Sequence, residues 1–296
     1  MAEFRIDQAA GLRRLFGTSQ LQVITFTAGC EGVGRSSVVA NLAAVLARLG
    51  KEVLVIDENS ADDDVAVCFG ARAKADLLHV LNGDCRLADV VVQPMPGLNV
   101  LPAAKAAKKL GRLSRSQQKA FLAALQQLER PVDIILVDAS TTHPQGCSPF
   151  ALASHETVVV LSGSSASITE AYALIKKISH AYSRRHFRIL VNKVRSYADA
   201  RSIYENIAEV ARQRGIAHLD FAGALPLDEA MRLAGQLQRP VVIHAPESAP
   251  ANALREIAAD MLYWQQGDGE FGGVEQFLQQ LLHLSQQITP AALRAG

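Results

Sequence analysis

A glycine-spaced segment between an apolar run and a helix-like stretch most constrains what this chain can fold into. Residues 29–37 read GCEGVGRSS, follow the apolar residues 21–26 and lead into the helical pattern of residues 36–49. The spacing is that of a phosphate-binding loop, G-x-x-x-x-G-K-[ST], with arginine at position 35 in place of lysine. Glycines let the backbone fold around an anion, and the following helix directs N–H groups at it. The residues predicted to bind a nucleotide here are Gly29, Gly32, Val33, Gly34, Arg35, Ser36 and Ser37.

Arginine at position 35 keeps the positive charge of the usual lysine but changes its shape. A guanidinium is a planar fork, whereas the lysine ammonium is a compact point charge. The loop therefore predicts nucleotide binding more directly than it predicts hydrolysis.

Length, charge and cysteine spacing exclude several classes of protein. The chain has 296 residues, of which 49% are hydrophobic and 20% charged, enough to bury the core of one large α/β domain with short appendages. Its 30 Lys and Arg residues nearly balance its 29 Asp and Glu residues, so no overall field attracts nucleic acid or anionic lipid. The four cysteines lack C-x-x-C spacing, which argues against a zinc site, an iron–sulfur cluster or a disulfide framework. With neither a signal-peptide pattern nor a run of membrane-spanning length, we expect a cytoplasmic protein.

Two apolar stretches end on an aspartate. Residues 52–57 and residues 132–138 each read as a buried strand, and they close on Asp57 and Asp138. An aspartate in such a place is often only a helix cap or a turn residue. Strand, glycine loop, helix and strand nevertheless form a βαβ unit, whose ligands lie at the carboxyl ends of the parallel strands. The pattern therefore predicts that Ser36, Asp57 and Asp138 form a magnesium site beside the loop.

Strands and helices alternate along the rest of the chain. Further strands are predicted over residues 98–101, 157–161, 187–191 and 221–225, and helices over residues 6–16, 77–82, 167–178 and 251–264. This alternation indicates an α/β fold with a doubly wound, mostly parallel sheet and short helical appendages at both ends.

Short motifs over nearly the whole chain resemble the MinD/ParA-type ATPases, and within them the FlhG (FleN) group of flagellar number and placement regulators. DQAAGLR at residues 7–13 resembles the DQA-x-x-LR motif of that group, and TEAYALIK at residues 169–176 resembles its TDAYA-x-IK helix. VNKV at residues 191–194 is similar to the adenine-side VN-x-V strand end, and GALPLD at residues 223–228 to the G-x-[IL]-P-x-D turn.

The resemblance implies cofactors and partners as well as a fold. It implies ATP or ADP with Mg²⁺ as cofactors, with Asn192 and Pro226 completing the nucleotide site, and an ATP-dependent homodimer. It also implies binding to an FlhF-like signal-recognition-type GTPase, with a flagellar transcription regulator or a switch-complex protein as a further partner. The residues implied to bind the GTPase are Asp7, Gln8, Leu12 and Arg13.

The catalytic loop departs from the family pattern KGG-x-GK[ST]. Cys30 stands where the family has the lysine that reaches the partner's nucleotide, and Glu31 stands where it has glycine. In the family's switch I motif, D-x-D, the second aspartate is Asn59 here, and an amide cannot accept a proton from a lytic water. Our hypothesis is a member with weak or lost ATPase activity, whose catalytic positions are Asp57, Asn59 and Arg35. The alternative is slow hydrolysis supported by the remaining residues Arg35, Ser36, Asp57 and Asp138.

An amphipathic pattern lies near the C-terminus. Residues 265–269 read as a linker, and apolar residues then recur at helical spacing opposite a row of glutamines. In the resembled family a membrane-targeting helix lies here, and the residues implied to contact the membrane are Phe271, Val274, Phe277, Leu278, Leu281 and Leu282. Glu275 and His283 stand where basic residues would normally face anionic lipid. Two expectations remain open: a weak peripheral position at the inner face of the cytoplasmic membrane, and packing of the stripe on the protein itself or on a second subunit.

The predicted organisation has three parts. Residues 1–18 form a partner-binding helix, residues 19–264 an ATPase domain, and residues 265–296 a linker with an amphipathic helix.

Two other functions are compatible with the fold. A ParA-like DNA-binding partitioning ATPase would use the basic stretches at residues 105–119 and 184–188, although the motif at residues 7–13 speaks against DNA as the partner. A small-molecule kinase would need an acceptor pocket, which the sequence does not locate.

Overall fold

The computed structural model of the chain describes residues 21–60, 64–110, 113–125, 131–141, 147–264, 277, 279–281 and 283–284. The N-terminal helix predicted over residues 6–16 lies outside these ranges, and with it the four residues predicted to bind a GTPase, Asp7, Gln8, Leu12 and Arg13. Four of the residues predicted to contact a membrane also lie outside them, namely Phe271, Val274, Leu278 and Leu282.

The described residues form one eight-stranded sheet in the order β3-β4-β2-β5-β1-β6-β7-β8. Neighbouring strands run parallel throughout, apart from β3 and β4, which are antiparallel. The predicted doubly wound, mostly parallel sheet is thereby confirmed. The strands are β1 (Gln22–Thr27), β2 (Val53–Asp57), β3 (Val92–Met95), β4 (Leu98–Pro102), β5 (Ile134–Asp138), β6 (Glu156–Ser162), β7 (His186–Val194) and β8 (His218–Pro226).

Helices connect the strands on both faces of the sheet. Among the described residues, the connections also contain short 3₁₀ segments at Val65–Phe69 and Leu87–Asp89. The α-helices are α1 (Arg35–Arg48), α2 (Leu77–Asn82), α3 (Ala104–Lys109), α4 (Arg115–Leu125), α5 (Pro149–Leu152), α6 (Ser165–Tyr182), α7 (Tyr197–Gln213), α8 (Glu229–Gln236), α9 (Val241–His244) and α10 (Ala249–Met261).

The central strands β1, β2 and β5 are buried along their whole length and mostly apolar, because both of their faces are covered by helices. On one face, α1 and α10 pack on the sheet in a core that includes Leu42, Val55 and Leu254. On the other face, α2, α4, α5, α6 and α7 cover a second core, in which the rings of Phe121 and Phe150 meet edge to face with centroids 6.2 Å apart. This double burial accounts for the uninterrupted apolar runs that the sequence shows.

Strand register brings the two predicted aspartates together at the carboxyl ends of the parallel strands, which form one edge of the sheet. Asp138, the last residue of β5, is aligned with Asp57 of β2 on one side and with Phe26 of β1 on the other. The chain leaves β1 through the glycine loop, which therefore lies at the same edge. Parallel strands that share this edge place the loop and both acids within reach of one ligand.

One edge strand was not predicted. β3 is short, contains Pro94 and has only half-buried or exposed residues. Proline lacks the N–H that a central strand needs, so such a segment is tolerated only at a sheet edge and has no clear strand pattern.

The described part of the C-terminal segment packs on the protein. Phe277 and Leu281 are buried in the core that α6 and α7 cover, and Leu284 packs beside them, while Gln279 and Gln280 are exposed. This placement agrees with the expectation that the apolar stripe packs on the protein itself. Contact of Phe277 and Leu281 with a membrane stays a prediction, and it would require the segment to leave the core. Within the described ranges, no helix combines the length and the continuous apolarity needed to cross a bilayer.

Replacing Gly223 by alanine should destabilise the fold, because two features of the structure require glycine there. Its φ of +141° lies in a region that side chains rarely adopt, and a Cβ would lie 2.6 Å from Cγ1 of Ile257 on α10. We expect Gly223→Ala to lower the free energy of unfolding by about 2 kcal/mol in urea titrations.

Gly235 on α8 provides the matched control. A Cβ there meets no atom within 4 Å, so Gly235→Ala should raise stability by about 0.5–1 kcal/mol, the helix propensity difference. Equal effects of the two substitutions would contradict the packing of β8 on α10 described above.

Candidate nucleotide-binding site

Three glycines of the loop are required by the local structure. Gly32 and Gly34 have φ of +76° and +86°, in the left-handed region that favours glycine. Gly29 lies against the backbone of α6, where a Cβ would come within 2.3 Å of the carbonyl carbon of Glu170. Gly34 is also the N-cap of α1, so no side chain covers the first N–H groups of that helix. The loop therefore has the backbone shape of an anion-binding site.

The end of β7 holds this loop from one side. Asn192 is buried, and its Nδ2 donates to the carbonyl oxygen of Val33 at 2.8 Å. Lys193 has a left-handed φ of +58°, and its Nζ donates to the carbonyl oxygen of Gly32 at 2.7 Å. The Asn192 amide oxygen in turn accepts from the backbone N–H of Lys193 at 2.8 Å. Asn192, predicted on the adenine side, thus contacts the loop itself.

Lys193 is a residue that sequence reasoning missed. The only signal was its position beside Asn192 in the VNKV stretch. Pro226, also predicted at the nucleotide site, ends β8 and pairs with Val194, which places it at the same edge of the sheet as Asn192.

Arg35 turns inward from the first turn of α1. Its Nε donates to Oδ1 of Asp138, and its Nη2 donates to Oδ1 of Asn59 at 2.6 Å. Arg35 is 8% exposed and Asp138 is fully buried. The Ser36 hydroxyl is hydrogen-bonded to the same Asp138 carboxylate. The guanidinium is therefore held between the end of β5 and the segment that follows β2.

Asn59 connects the charges of the site through an amide that both donates and accepts. Its Nδ2 donates to Oδ1 of Asp57 at 2.8 Å and to Oδ2 of Asp138 at 2.7 Å, while its Oδ1 accepts from Arg35. A carboxylate in this position could accept from the arginine but could not donate to either aspartate. Asparagine therefore fits a site whose cation is an arginine.

Burial sets the protonation of the two aspartates. It raises the pKa of Asp57 well above its ordinary value, and repulsion from Asp138 and Asp64 acts in the same direction. Burial also raises the pKa of Asp138, but the positive charge of Arg35 opposes that rise. Asp138 therefore keeps its negative charge more readily than Asp57 does.

Glu58, which lies between Asp57 and Asn59 in the sequence, is buried, and a role for it was not predicted. Its Oε1 accepts from the hydroxyl of Ser148, the N-cap of α5, and its Oε2 accepts from the backbone N–H of Ser140 at 3.1 Å. Glu58 also donates its own N–H to the carbonyl oxygen of Asp138 at 3.1 Å. The side chain therefore ties the segment after β2 to the segment after β5. Because glutamate is usually exposed, the sequence carried no signal for this role.

The predicted magnesium ligands do not fit the ion with these partners in place. Both oxygens of Asp57 accept hydrogen bonds from N–H groups, of Asn59 and of Val65. Both oxygens of Asp138 accept hydrogen bonds as well, from Arg35 and Asn59, and the Ser36 hydroxyl bonds to the same carboxylate. Mg²⁺ needs oxygen ligands in nearly regular octahedral geometry and is repelled by a neighbouring cation. In the described part of the chain, no group of three or more His, Cys, Asp or Glu side chains is arranged to hold a metal ion.

Two loop residues face the core around α1. Cys30 packs partly against that core, next to the exposed Glu31. Ser37 is hydrogen-bonded to Cys68, whose thiol pKa is raised to about 12 by burial and by the nearby aspartates. Contact of Ser37 with a nucleotide stays a prediction.

The buried Glu58 should make stability depend on pH. Burial raises its pKa from 4.5 to about 7, so between these values the folded protein holds a proton that the unfolded chain has released. Stability should therefore fall as the pH rises from about 4.5 through 7. Each pKa unit corresponds to about 1.4 kcal/mol, so the loss due to Glu58 is on the order of 3 kcal/mol.

Urea unfolding across this pH range tests the expectation with two variants. Glu58→Gln cannot titrate and should lose this part of the pH dependence, whereas a matched change at the exposed Glu256 of α10 should leave the profile unchanged. A Glu58→Gln profile parallel to that of the wild type would contradict the burial of this carboxyl group.

The contact of Asn192 with the loop can be tested by changing a single donor. Asn192→Asp replaces the amide that donates to Val33 by an acceptor, which leaves two oxygens facing each other in a buried place. We expect a loss of about 1–3 kcal/mol in the free energy of unfolding, measured in urea, together with weaker ADP binding. The exposed Asn206 on α7 gives a matched control, and an equal effect of Asn206→Asp would exclude the proposed contact.

Comparison with known proteins identifies the family of the chain. Residues 21–190 match the protein family described as AAA domain. The chain is 30% identical over 271 residues to the antiactivator FleN of Pseudomonas aeruginosa. The aligned region covers 92% of this chain and 97% of FleN. It is 28% identical over 204 residues to the flagellum site-determining protein YlxH of Helicobacter pylori, and this aligned region covers 68% of each chain.

A solved structure shares the fold. The septum site-determining protein MinD of Pyrococcus horikoshii, determined in complex with Mg-ADP, superposes with a TM-score of 0.60 over 84% of this chain and 100% of that chain, at 19% identity. The resemblance inferred from the motifs is thus confirmed. A chain that aligns with FleN along nearly its whole length and folds as MinD does belongs to the FlhG/FleN group of the MinD/ParA family of P-loop nucleotide-binding proteins.

Proposed function

We propose that this chain regulates flagellar number and placement through an FlhF-like signal-recognition-type GTPase, and that an adenine nucleotide bound at the glycine loop acts as its switch with weak or lost hydrolysis. The observation that carries the nucleotide switch is a glycine loop with no side-chain cap on the helix that follows it, whose neighbouring charges, Arg35 and Asp138, are paired with each other. Such a loop retains the backbone groups for phosphate, while the groups for chemistry are already engaged.

The weak hydrolysis follows from the same contacts. An efficient phosphate-loop ATPase needs a group that positions the attacking water and a cation at the transferred phosphate. Here the amide of Asn59 cannot take a proton, and Asp57 accepts hydrogen bonds at both of its oxygens. Arg35, the cation of the loop, is bound to the protein's own carboxylate. ATP or ADP remains the proposed ligand, whereas the fit of the site argues against Mg²⁺ as its companion.

Flagellar regulation is supported by the names of the relatives and by the N-terminal motif. One relative is an antiactivator and another is a flagellum site-determining protein. The DQAAGLR stretch at residues 7–13 is the part we propose to bind the GTPase, with Asp7, Gln8, Leu12 and Arg13 as its contacts. A homodimer, a flagellar transcription regulator or a switch-complex protein, and a weak peripheral contact of residues 271–282 with the membrane complete the proposal.

The competing DNA-binding function receives less support from the basic stretch at residues 184–188. Arg184 donates to the carbonyl oxygens of Leu152 and Ser154 and to the hydroxyl of Thr157 at 2.7–3.1 Å, so it closes the end of α5. Arg188 pairs with Glu156 at 3.0 Å. These two guanidinium groups stabilise the fold and are not available as a phosphate-binding row.

Turnover assays with the full chain test the proposed function. We expect GTP turnover by an FlhF-like GTPase to rise when the chain is added, and to return to its basal rate with Leu12→Asp, because a charge in the motif blocks the contact. ATP turnover by the chain itself should stay below about a tenth of that of P. aeruginosa FleN, which corresponds to a barrier higher by about 1.4 kcal/mol or more.

An exposed leucine provides the matched control for the partner contact. Leu227→Asp, at the residue that follows β8, should keep the stimulation of the GTPase. ATP turnover equal to that of FleN and abolished by Arg35→Ala would contradict weak hydrolysis, and an unchanged GTPase rate with the wild-type chain would contradict the partner.

A further inference from the structure

The guanidinium of Arg35 lies where three groups converge that could each bind a cation. Asp138 accepts from its Nε, and Asn59 accepts from its Nη2 at 2.6 Å. The hydroxyl of Ser36, the next residue along α1, bonds to the same Asp138 carboxylate. Arg35 and Asp138 are both buried, so the positive charge is part of the interior of the site.

Magnesium in phosphate-loop proteins is held between the hydroxyl of the loop and the aspartate that ends the neighbouring strand. In this chain those groups are Ser36 and Asp138, and the arginine is bound to the second of them. A divalent ion placed there would compete with three donors on that carboxylate, from Arg35, Asn59 and Ser36, and would be repelled by the guanidinium beside it. The aspartate that would face the metal is therefore paired with a cation that the chain itself carries.

The residues at positions 35 and 59 are matched to each other. Arg35 donates to Asp138 and Asn59 from two different nitrogens of its planar fork, whereas an ammonium would have to make both bonds from a single nitrogen. Asn59, which accepts from Arg35, also donates its Nδ2 to Oδ2 of Asp138 at 2.7 Å. The carboxylate is thus bonded on both oxygens by the same pair of residues.

We propose that Arg35 replaces magnesium in this site, so that the chain binds adenine di- and triphosphates without a divalent cation. The inference rests on the proposed binding of nucleotide at the glycine loop. A guanidinium has five N–H donors, and the bonds to Asp138 and Asn59 use two of them. The same fork can therefore meet a phosphate oxygen while it stays on Asp138.

The test measures two quantities that do not depend on turnover. Calorimetry gives the Kd of the full chain for ADP in buffer with magnesium chloride and in buffer with EDTA. Electron paramagnetic resonance of Mn²⁺, a spectroscopic substitute for magnesium, counts the ions retained per chain in the presence of ADP. For the wild type we expect the two Kd values to agree within about twofold and no Mn²⁺ to be retained beyond that held by ADP in solution.

Arg35→Lys is the informative variant, because a lysine restores the usual phosphate loop and frees one side of Asp138. We expect its ADP affinity to become at least about tenfold tighter with magnesium than with EDTA, and one Mn²⁺ to be retained per chain. Arg48→Lys, at the exposed far end of the same helix, makes the same chemical change away from the site and should behave as the wild type.

The outcomes separate this inference from the proposed function. A wild-type chain that retains Mn²⁺, or whose Kd tightens about tenfold with magnesium, overturns the inference even where nucleotide binds as proposed. A wild-type chain that binds no ADP in either buffer overturns the proposed nucleotide switch. In that case the inference is tested by the ADP binding and Mn²⁺ retention of Arg35→Lys. Gain of Mn²⁺ and ADP by the variant supports it, and absence of gain by a folded variant overturns it.

Discussion

The ion pair between Arg35 and Asp138 is the interaction on which the arrangement of the site depends. Both groups are buried, and removing one partner of a buried pair leaves an uncompensated charge that costs about 3–5 kcal/mol. Each therefore holds the other in place. Asn59 completes the pair by accepting from the guanidinium and donating to the carboxylate. The start of α1, the end of β5 and the segment after β2 are connected through charges that other phosphate-loop proteins direct at their ligand.

The sheet makes this connection possible. Parallel register aligns Asp57 with Asp138, and α1 begins beside them because the loop leaves β1 at the same edge. On the other side of the loop, Asn192 and Lys193 of β7 hold the carbonyl oxygens of Val33 and Gly32. The loop is thus fixed between two halves of the sheet, and its shape does not require a bound ligand to explain it. A preformed loop with self-paired charges supports the proposal that this chain binds a nucleotide with weak or lost hydrolysis.

Much of this could be predicted from the chain because the relevant signals are local. Apolar runs buried on both faces marked the central strands, and glycines marked the loop because only they adopt its left-handed φ. The edge strand β3 escaped prediction since Pro94 and exposed residues disguise it. Glu58 and Lys193 escaped for a different reason. Their roles depend on Ser148 and Gly32, which are distant in sequence and meet them only in the folded protein.

The sequence by itself determined the α/β fold, the position of the phosphate loop and the departures of Cys30, Glu31, Arg35 and Asn59 from the family pattern. Each of these follows from short-range pattern and residue chemistry. The tertiary structure alone decided where the charge of Arg35 goes. The fork reaches across 103 residues to Asp138, and no spacing rule predicts whether it points at a ligand or at the protein's own carboxylate. Burial favours the protein's own carboxylate, because an isolated buried charge is costly and a paired one is not.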